Sequence, residues 1–187
     1  MLKALCKNRL SILQSGVTSK KPCHVFCLDV LANHVGSYRL PQEVSLEHGA
    51  LIEPLSVAMH ASTRAGLAAG SVVLVLGAGA VGLLCAAMSK VAKAKTVIIA
   101  DIQEDRVKFA VEKGFADAAV VVPMKRPESI TDKLDFARQV ADMVKSTTVN
   151  GEPVGEVNGT YECTGVESCL QAAIYVSLVS MIPPSPE

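Results

Sequence analysis

A strand-length apolar run that ends in a glycine-rich turn constrains this chain more than any other feature. The run covers residues 72–76 and contains only valine and leucine. Gly77, Gly79 and Gly82 follow it with the spacing G-x-G-x-x-G, and an alanine-rich apolar segment comes next. Such a run predicts a buried strand, and the glycine spacing predicts a tight turn into a helix. We therefore expect a strand-turn-helix unit of a parallel sheet at this point.

An acidic residue follows the turn at the distance that a dinucleotide site requires. Asp101 ends a second apolar run over residues 96–100, about 20 residues after Gly82. Gly77 would permit the turn, Gly79 would let the backbone approach a pyrophosphate, and Gly82 would let the helix pack closely on the strand. The N-terminus of that helix would offer N–H groups to the phosphates. The Asp101 carboxylate would bind ribose hydroxyls and repel a 2′-phosphate, which predicts NAD rather than NADP.

Other interpretations of the glycine-rich segment explain less. No charge lies between Arg64 and Lys90, a length sufficient for a membrane span, but a span does not explain the strand-turn-helix order. Leu83 stands where a phosphate-binding P-loop has lysine. Neither Tyr161 nor Tyr175 begins the Tyr-x-x-x-Lys pair of short-chain dehydrogenases. A methyltransferase-like fold that binds another adenosine ligand remains the minor alternative.

The composition limits which binding partners and which cellular compartment we expect for this chain. Of the 187 residues, 50% are hydrophobic, 4% are aromatic and the formal net charge is zero, so we expect neither a nucleic-acid partner nor a membrane partner. The six cysteines are interpreted as reduced thiols of a cytoplasmic protein. Cys23, His24 and Cys27 lack a second ligand cluster and are interpreted as a chance grouping. Residues 1–28 are basic without an acidic residue, so a mitochondrial presequence is the alternative to an unstructured tail.

The hydrophobic pattern divides the chain into four segments. Residues 1–37 are an irregular basic segment or the remnant of a preceding domain, 38–70 a linking helix region, 71–178 an incomplete nucleotide-binding domain, and 179–187 a disordered proline-rich tail. Predicted strands cover residues 72–76, 96–101, 118–122 and 158–163, and predicted helices cover 46–66, 80–91, 103–114, 128–147 and 166–176. The sequence thus predicts an α/β fold, a partial Rossmann domain with a doubly wound parallel sheet of about four strands in the order 3-2-1-4. The helix over 128–147 has an apolar face, which consists of Ile130, Leu134, Ala137, Ala141 and Val144.

Several segments between residues 38 and 176 resemble the zinc-dependent medium-chain dehydrogenases, most closely the sorbitol (polyol) dehydrogenases of fungal type. The resemblance rests on residues 38–41 (Tyr-Arg-Leu-Pro), 49–61 (Gly-Ala-Leu-Ile-Glu-Pro-Leu-Ser-Val-Ala-Met-His-Ala), the glycine turn, Asp101 with Arg106, and 161–165 (Tyr-Glu-Cys-Thr-Gly). It implies an enzyme that oxidises a sugar alcohol to a ketose, passes hydride to NAD and uses zinc to polarise the alcohol. A homo-oligomer, or pairing with a full-length relative, is compatible with it.

The resemblance assigns roles to individual residues. Glu53 would lie at the metal and substrate site, and the alternative for it is an acid in the first turn of a helix. The residues that would bind the cofactor are Gly77, Gly79, Ala80, Val81, Gly82, Asp101, Arg106 and Thr164. The alternative for Arg106 is a solvated residue within reach of Glu104 or Asp105, and His60 is interpreted as a packed or surface histidine.

The sequence also departs from that family. Its Gly-His-Glu zinc motif and its four-cysteine loop for structural zinc are absent, and residues 178–184 replace the expected Gly-Gly turn and fifth strand. We therefore expect a chain truncated at both ends, with at most a remnant of the catalytic domain and doubtful activity. The alternative function is a non-catalytic half-domain that binds NAD or another adenosine ligand and pairs with a full-length relative.

Overall fold

The computed structural model describes residues 24–29, 34–125, 127 and 129–177. The chain divides at Ser56 into two compact units, residues 1–56 and 57–187. Most of the basic segment, Cys23 and the proline-rich tail lie outside the described residues, so the predictions made for them stay predictions. Among the described residues, no helix is both long and apolar enough to cross a membrane.

The first unit contains an antiparallel hairpin and the beginning of a long helix. Strands β1 (His24–Asp29) and β2 (His34–Arg39) pair with His24 opposite Arg39. Helix α1 (Leu46–Ala65) follows a turn at residues 41–44. The hairpin lies mostly within the segment that was predicted to be irregular. The two strands were not predicted because neither shows the alternation of apolar and polar residues that identifies a half-buried strand.

The second unit is built on a parallel sheet of four strands. These strands are β3 (Val72–Leu76), β4 (Thr96–Asp101), β5 (Ala118–Val121) and β8 (Gly159–Glu162). Their order is β5-β4-β3-β8, and all three pairings are parallel. If these four strands are numbered 1 to 4 in the order in which they occur in the chain, their order in the sheet is 3-2-1-4. This order confirms the predicted doubly wound arrangement.

Helices cover both faces of this sheet. Helices α2 (Ala80–Val91) and α3 (Glu104–Glu112) pack on the face that carries Val73, Val75, Val97 and Ile99. Helices α4 (Ile130–Ser146) and α5 (Glu167–Val176) pack on the face that carries Leu74, Leu76, Ile98 and Ala100. Since side chains alternate along a strand, β3 and β4 are buried on both sides and can consist of unbroken apolar residues.

Two details of the second unit differ from the sequence prediction. Ile130 is 76% exposed, and the buried face of α4 includes Phe136 and Val140 instead. Ser129 caps α4, since its hydroxyl accepts a hydrogen bond from the Asp132 N–H, so Ile130 stands at the solvated first position. The predicted loop at 150–155 also contains part of a small hairpin between β6 (Thr148–Val149) and β7 (Glu152–Pro153).

The outer edge of β8 has one further neighbour in the chain. Ser177, directly after α5, forms a parallel bridge with Val157, and the Val157 N–H donates to the Val176 carbonyl at 3.2 Å. The Ser177 and Thr160 hydroxyl oxygens lie 3.5 Å apart. The segment that leads into β8 is therefore bridged, because α5 returns the chain to this side of the sheet.

Candidate dinucleotide site

The glycine turn begins at the carboxyl end of β3. Gly77 has φ +100°, a conformation that side chains disfavour, and its N–H donates to the Ala100 carbonyl at 2.7 Å. A Cβ atom at this position would lie 3.0 Å from the Thr164 Cγ2 atom and 3.3 Å from the Cys163 carbonyl carbon. Gly77 is therefore needed both for the direction of the chain and for the close approach of the loop after β8.

Gly82 allows the first turn of α2 to pack against the glycine turn. A Cβ atom there would lie 1.8 Å from the Gly77 carbonyl oxygen, far inside van der Waals contact. The next nearest atoms are the Gly77 carbonyl carbon at 2.9 Å and the Val75 Cγ1 atom at 3.5 Å. The two nearest atoms belong to the backbone rather than to the end of a flexible side chain, so this position requires glycine.

The N-terminus of α2 presents free backbone donors. Gly79 precedes the helix with extended backbone, and no side chain caps this end. Within the described residues, the N–H groups of Gly79, Ala80 and Val81 have no acceptor, as expected for a helix that begins without a cap. A Cβ atom on Gly79 would meet nothing within 4 Å, and the first turn carries no acidic residue. These donors and the helix dipole together suit a bound anion.

Asp101 lies at this turn. Its Oδ2 atom accepts a hydrogen bond from the Ala78 N–H at 2.7 Å, and its Oδ1 atom accepts one from the Gln103 N–H at 2.9 Å. The side chain is half-buried. A carboxylate has about four acceptor positions, so the two bonds leave capacity for two hydroxyl donors. The structure thus brings the acid at the end of β4 to the glycine turn at the end of β3.

A second carboxylate organises the loop after β8. The Glu162 Oε1 atom accepts hydrogen bonds from the N–H groups of Thr164 at 2.8 Å and Gly165 at 3.0 Å, and from the Thr164 hydroxyl. In the sequence, Glu162 stands only within the Tyr-Glu-Cys-Thr-Gly segment at residues 161–165 that resembles the dehydrogenases. Its position as the last residue of a strand at the carboxyl edge of a parallel sheet was the signal available.

Three cysteines lie near the glycine turn. A hydrogen bond from the Cys163 side chain lowers the pKa of the buried Cys85 thiol, against the opposing effect of burial. Burial raises the pKa of the Cys169 thiol, and the negative charges of Glu162 and Asp101 raise it further. A hydrogen bond with Thr164 acts in the opposite direction and lowers this pKa. Cys163 is half-buried. None of these three thiols is in a disulfide.

Arg106 lies on the exposed side of α3. Its backbone N–H donates to the Gln103 carbonyl at 3.2 Å, and its side chain forms no ion pair within the described part of the chain. Glu104, one of its predicted partners, pairs instead with Lys108 at 2.7 Å, which lowers the pKa of the Glu104 carboxyl and raises that of the Lys108 amine.

Glu53 belongs to the first unit, in the interior of α1, where it is half-buried. The interpretation of Glu53 as a first-turn acid is therefore wrong, whereas His60 on the same helix is exposed, as expected of a surface histidine. The residues that the structure describes contain no group of three or more His, Cys, Asp or Glu able to hold a metal ion. These residues therefore do not fit the zinc of a dehydrogenase.

Several curated proteins have sequences similar to this chain. Sorbitol dehydrogenase from Ovis aries is 39% identical over 140 residues, and the protein of the same name from Gallus gallus is 36% identical over 140 residues. Each match covers 75% of this chain and 35% of the relative. Over these 140 residues, this chain is similar to the sorbitol dehydrogenases. The chain spans about a third of the length of these relatives. A probable D-xylulose reductase A from Aspergillus niger is 48% identical over 88 residues, which cover 47% of this chain and 24% of the relative.

Solved structures agree with this relationship. A putative zinc-binding dehydrogenase from Sinorhizobium meliloti, bound to NADP, is 28% identical with a TM-score of 0.58, and the match covers 75% of this chain and 36% of that one. The 2R,3R-butanediol dehydrogenase from Bacillus subtilis is 29% identical with a TM-score of 0.53, over 76% of this chain and 36% of that one. No family model matches the chain. The resemblance inferred from the sequence is confirmed.

Proposed function

We propose that residues 71–178 bind the adenosine diphosphate half of NAD, as the nucleotide-binding part of an oxidoreductase of the sorbitol or polyol type, which converts a sugar alcohol to a ketose. The observation that carries this proposal is the hydrogen bond between the Asp101 carboxylate and the Ala78 N–H. This bond joins the acid to the glycine turn at the carboxyl edge of one parallel sheet, although the two are separate in the sequence.

Each predicted cofactor-binding residue has a place in this proposal. The free N–H groups of Gly79, Ala80 and Val81 bind the diphosphate, and Gly77 and Gly82 shape the turn that presents them. Asp101 accepts hydrogen bonds from the ribose hydroxyls through its remaining lone pairs, and its charge favours NAD over NADP. Arg106 lies against the adenine or its ribose, and Thr164 contacts the cofactor from the β8 side.

Titration calorimetry tests the binding site and its selectivity. We expect the protein to bind NAD and ADP-ribose, to bind NADP more weakly, and to bind no S-adenosylmethionine. Asp101→Ala should weaken NAD binding by about 1–3 kcal/mol, the usual loss when a charged hydrogen bond is removed. Asp105→Ala is the matched control, since Asp105 is an exposed acid on α3 and should leave the affinity unchanged. Preferential binding of S-adenosylmethionine, or equal affinity in the Asp101 variant, would contradict the proposal.

A non-catalytic role is the second candidate, and one observation favours it. The described residues hold no group able to bind a metal ion, although Glu53 remains the predicted metal and substrate residue. In this alternative the chain binds NAD or another adenosine ligand and pairs with a full-length relative, without hydride transfer of its own.

Enzyme assays test whether this chain by itself catalyses hydride transfer. We expect the purified chain, supplied with NAD, zinc and sorbitol, xylitol or arabinitol, to produce no NADH above background, because a positioned Lewis acid is needed to form the alkoxide. A zinc-dependent rate with any of these polyols would instead assign the catalytic function to this chain.

A further inference from the structure

We propose that Glu162 is a positioning residue of the dinucleotide site, an inference that rests on the proposed function. Its carboxylate holds the loop formed by residues 163–166, here called the β8 loop, in the conformation that completes the crevice beside the glycine turn. Neither the family motifs nor the comparisons give Glu162 this role.

The register of the sheet places Glu162 beside the glycine turn. Glu162 ends β8 directly opposite Leu76, the residue before Gly77. The Cys163 N–H then donates to the Leu76 carbonyl at 2.9 Å, so the β8 loop leaves the sheet at the same level as the turn. In a doubly wound sheet this is the crevice where ligands bind, since the chain turns to opposite faces after the two neighbouring strands.

The hydrogen bonds of Glu162 define the shape of the β8 loop. Its carboxylate accepts the Thr164 N–H, the Thr164 hydroxyl and the Gly165 N–H, the last through both oxygens at 3.0 and 3.1 Å. The Thr164 hydroxyl oxygen in turn accepts the Val166 N–H at 3.0 Å, directly before α5. One side chain therefore connects the end of β8, the whole loop and the start of the next helix.

The β8 loop and the glycine turn constrain each other sterically. A Cβ atom on Gly77 would lie 3.0 Å from the Thr164 Cγ2 atom, so the Thr164 methyl group occupies the space beside the turn. If the Glu162 carboxylate is removed, Thr164 and Gly165 lose their acceptor and can leave this position. The wall of the crevice on the β8 side would then be lost while the turn itself remains.

The charge of Glu162 is directed at backbone donors rather than at a cation. Within the described residues Glu162 makes no ion pair, and Glu167 in the following helix pairs with Lys133 at 3.0 Å. Most of the bonds use one oxygen atom, Oε1, which the side-chain amide of glutamine also offers. Glu162→Gln should therefore preserve the β8 loop, whereas Glu162→Ala should release it.

The position of the β8 loop determines which ligands are affected. Asp101 stands on β4, on one side of β3, and the β8 loop stands on the other. A dinucleotide with its adenosine ribose on Asp101 must extend across β3 toward β8, while AMP ends near the turn. Loss of the loop should therefore reduce affinity for NAD and leave affinity for AMP unchanged.

Calorimetry with NAD and AMP tests this inference on four proteins besides the wild type. We expect Glu162→Ala to weaken NAD binding about tenfold without changing AMP binding, and Glu162→Gln to restore NAD affinity to within about threefold of wild type. Glu167→Ala is the matched control and should change neither affinity. Thr164→Val, which keeps the methyl group and loses the hydroxyl, should weaken NAD binding a few-fold and serves as the readout if Glu162→Ala does not fold.

The outcomes distinguish this inference from the proposed function. Equal losses for NAD and AMP in Glu162→Ala, or unchanged NAD binding in both Glu162→Ala and Thr164→Val, would overturn the positioning role while the dinucleotide site stands. A wild-type protein that binds neither NAD nor AMP would overturn the proposed function itself, and the role of Glu162 with it.

Discussion

Gly79 and Gly82 belong to the same motif, but the space around their Cα atoms differs. A Cβ atom on Gly82 would collide with the Gly77 carbonyl oxygen, whereas one on Gly79 would project into open space. Gly79 also has negative φ, so alanine fits its backbone without strain. Gly82 is thus required by the folded chain, whereas the requirement for Gly79 would come from the proposed ligand at the N-terminus of α2.

Alanine substitutions separate these two requirements. Gly82→Ala should lower the free energy of unfolding by about 1–3 kcal/mol, because the added methyl group overpacks a site bounded by backbone. Gly79→Ala should lower it by less than about 1 kcal/mol, the scale of a helix-cap change, but should abolish most NAD binding. Urea denaturation and calorimetry on both variants measure this difference, and equal effects on stability would show that the turn is not packed as described.

The sequence predicted the residues of the candidate site whose backbone conformation or position depends on nearby residues in the chain. Positive φ at Gly77 and the contact at Gly82 follow from glycine spacing alone, and Asp101 follows from its distance to the turn. The role of Glu162 depends on how a loop folds back on its own strand, so neither its residue type nor its spacing reveals it. The direction of the Arg106 side chain likewise depends on solvent and on a ligand, and its role stays a prediction.

At the scale of elements, strands were easier to predict than helix faces. The unbroken apolar runs of β3 and β4 end at glycine or aspartate, and their observed bounds equal the predicted ones. The β6–β7 hairpin was missed because strands of two residues are too short to show alternation. Asn150 and Gly151, both with positive φ, form the Asn-Gly turn that was its only sequence signal.

Helix α4 provides a test of the packing on the second face of the sheet. Val140 is 3% exposed and lies in the core cluster with β3 and β4, whereas Ile130 is 76% exposed. Val140→Ala should lower the free energy of unfolding by about 1–3 kcal/mol, since it leaves a cavity, and Ile130→Ala should change it by less than about 0.5 kcal/mol. Thermal or urea denaturation checks this contrast, and the reverse ranking would mean that α4 presents its other face to the sheet.

At the scale of the whole molecule, the strand order could be predicted because right-handed crossovers leave few alternatives. The β1–β2 hairpin could not, since its pairing depends on contacts between strands of weak pattern. The chain is similar to sorbitol dehydrogenases but spans about a third of their length. The proposed function rests on one claim, that the second unit binds NAD.

A crystal structure of the protein grown with NAD tests that claim most directly. We expect the diphosphate against the N–H groups of Gly79, Ala80 and Val81, with the adenosine ribose hydroxyls within about 3 Å of the Asp101 carboxylate. Crystals soaked with ADP-ribose should show the same contacts. A nucleotide bound elsewhere on the chain, or a ribose held by other residues while Asp101 bonds only to Ala78 and Gln103, would contradict the account.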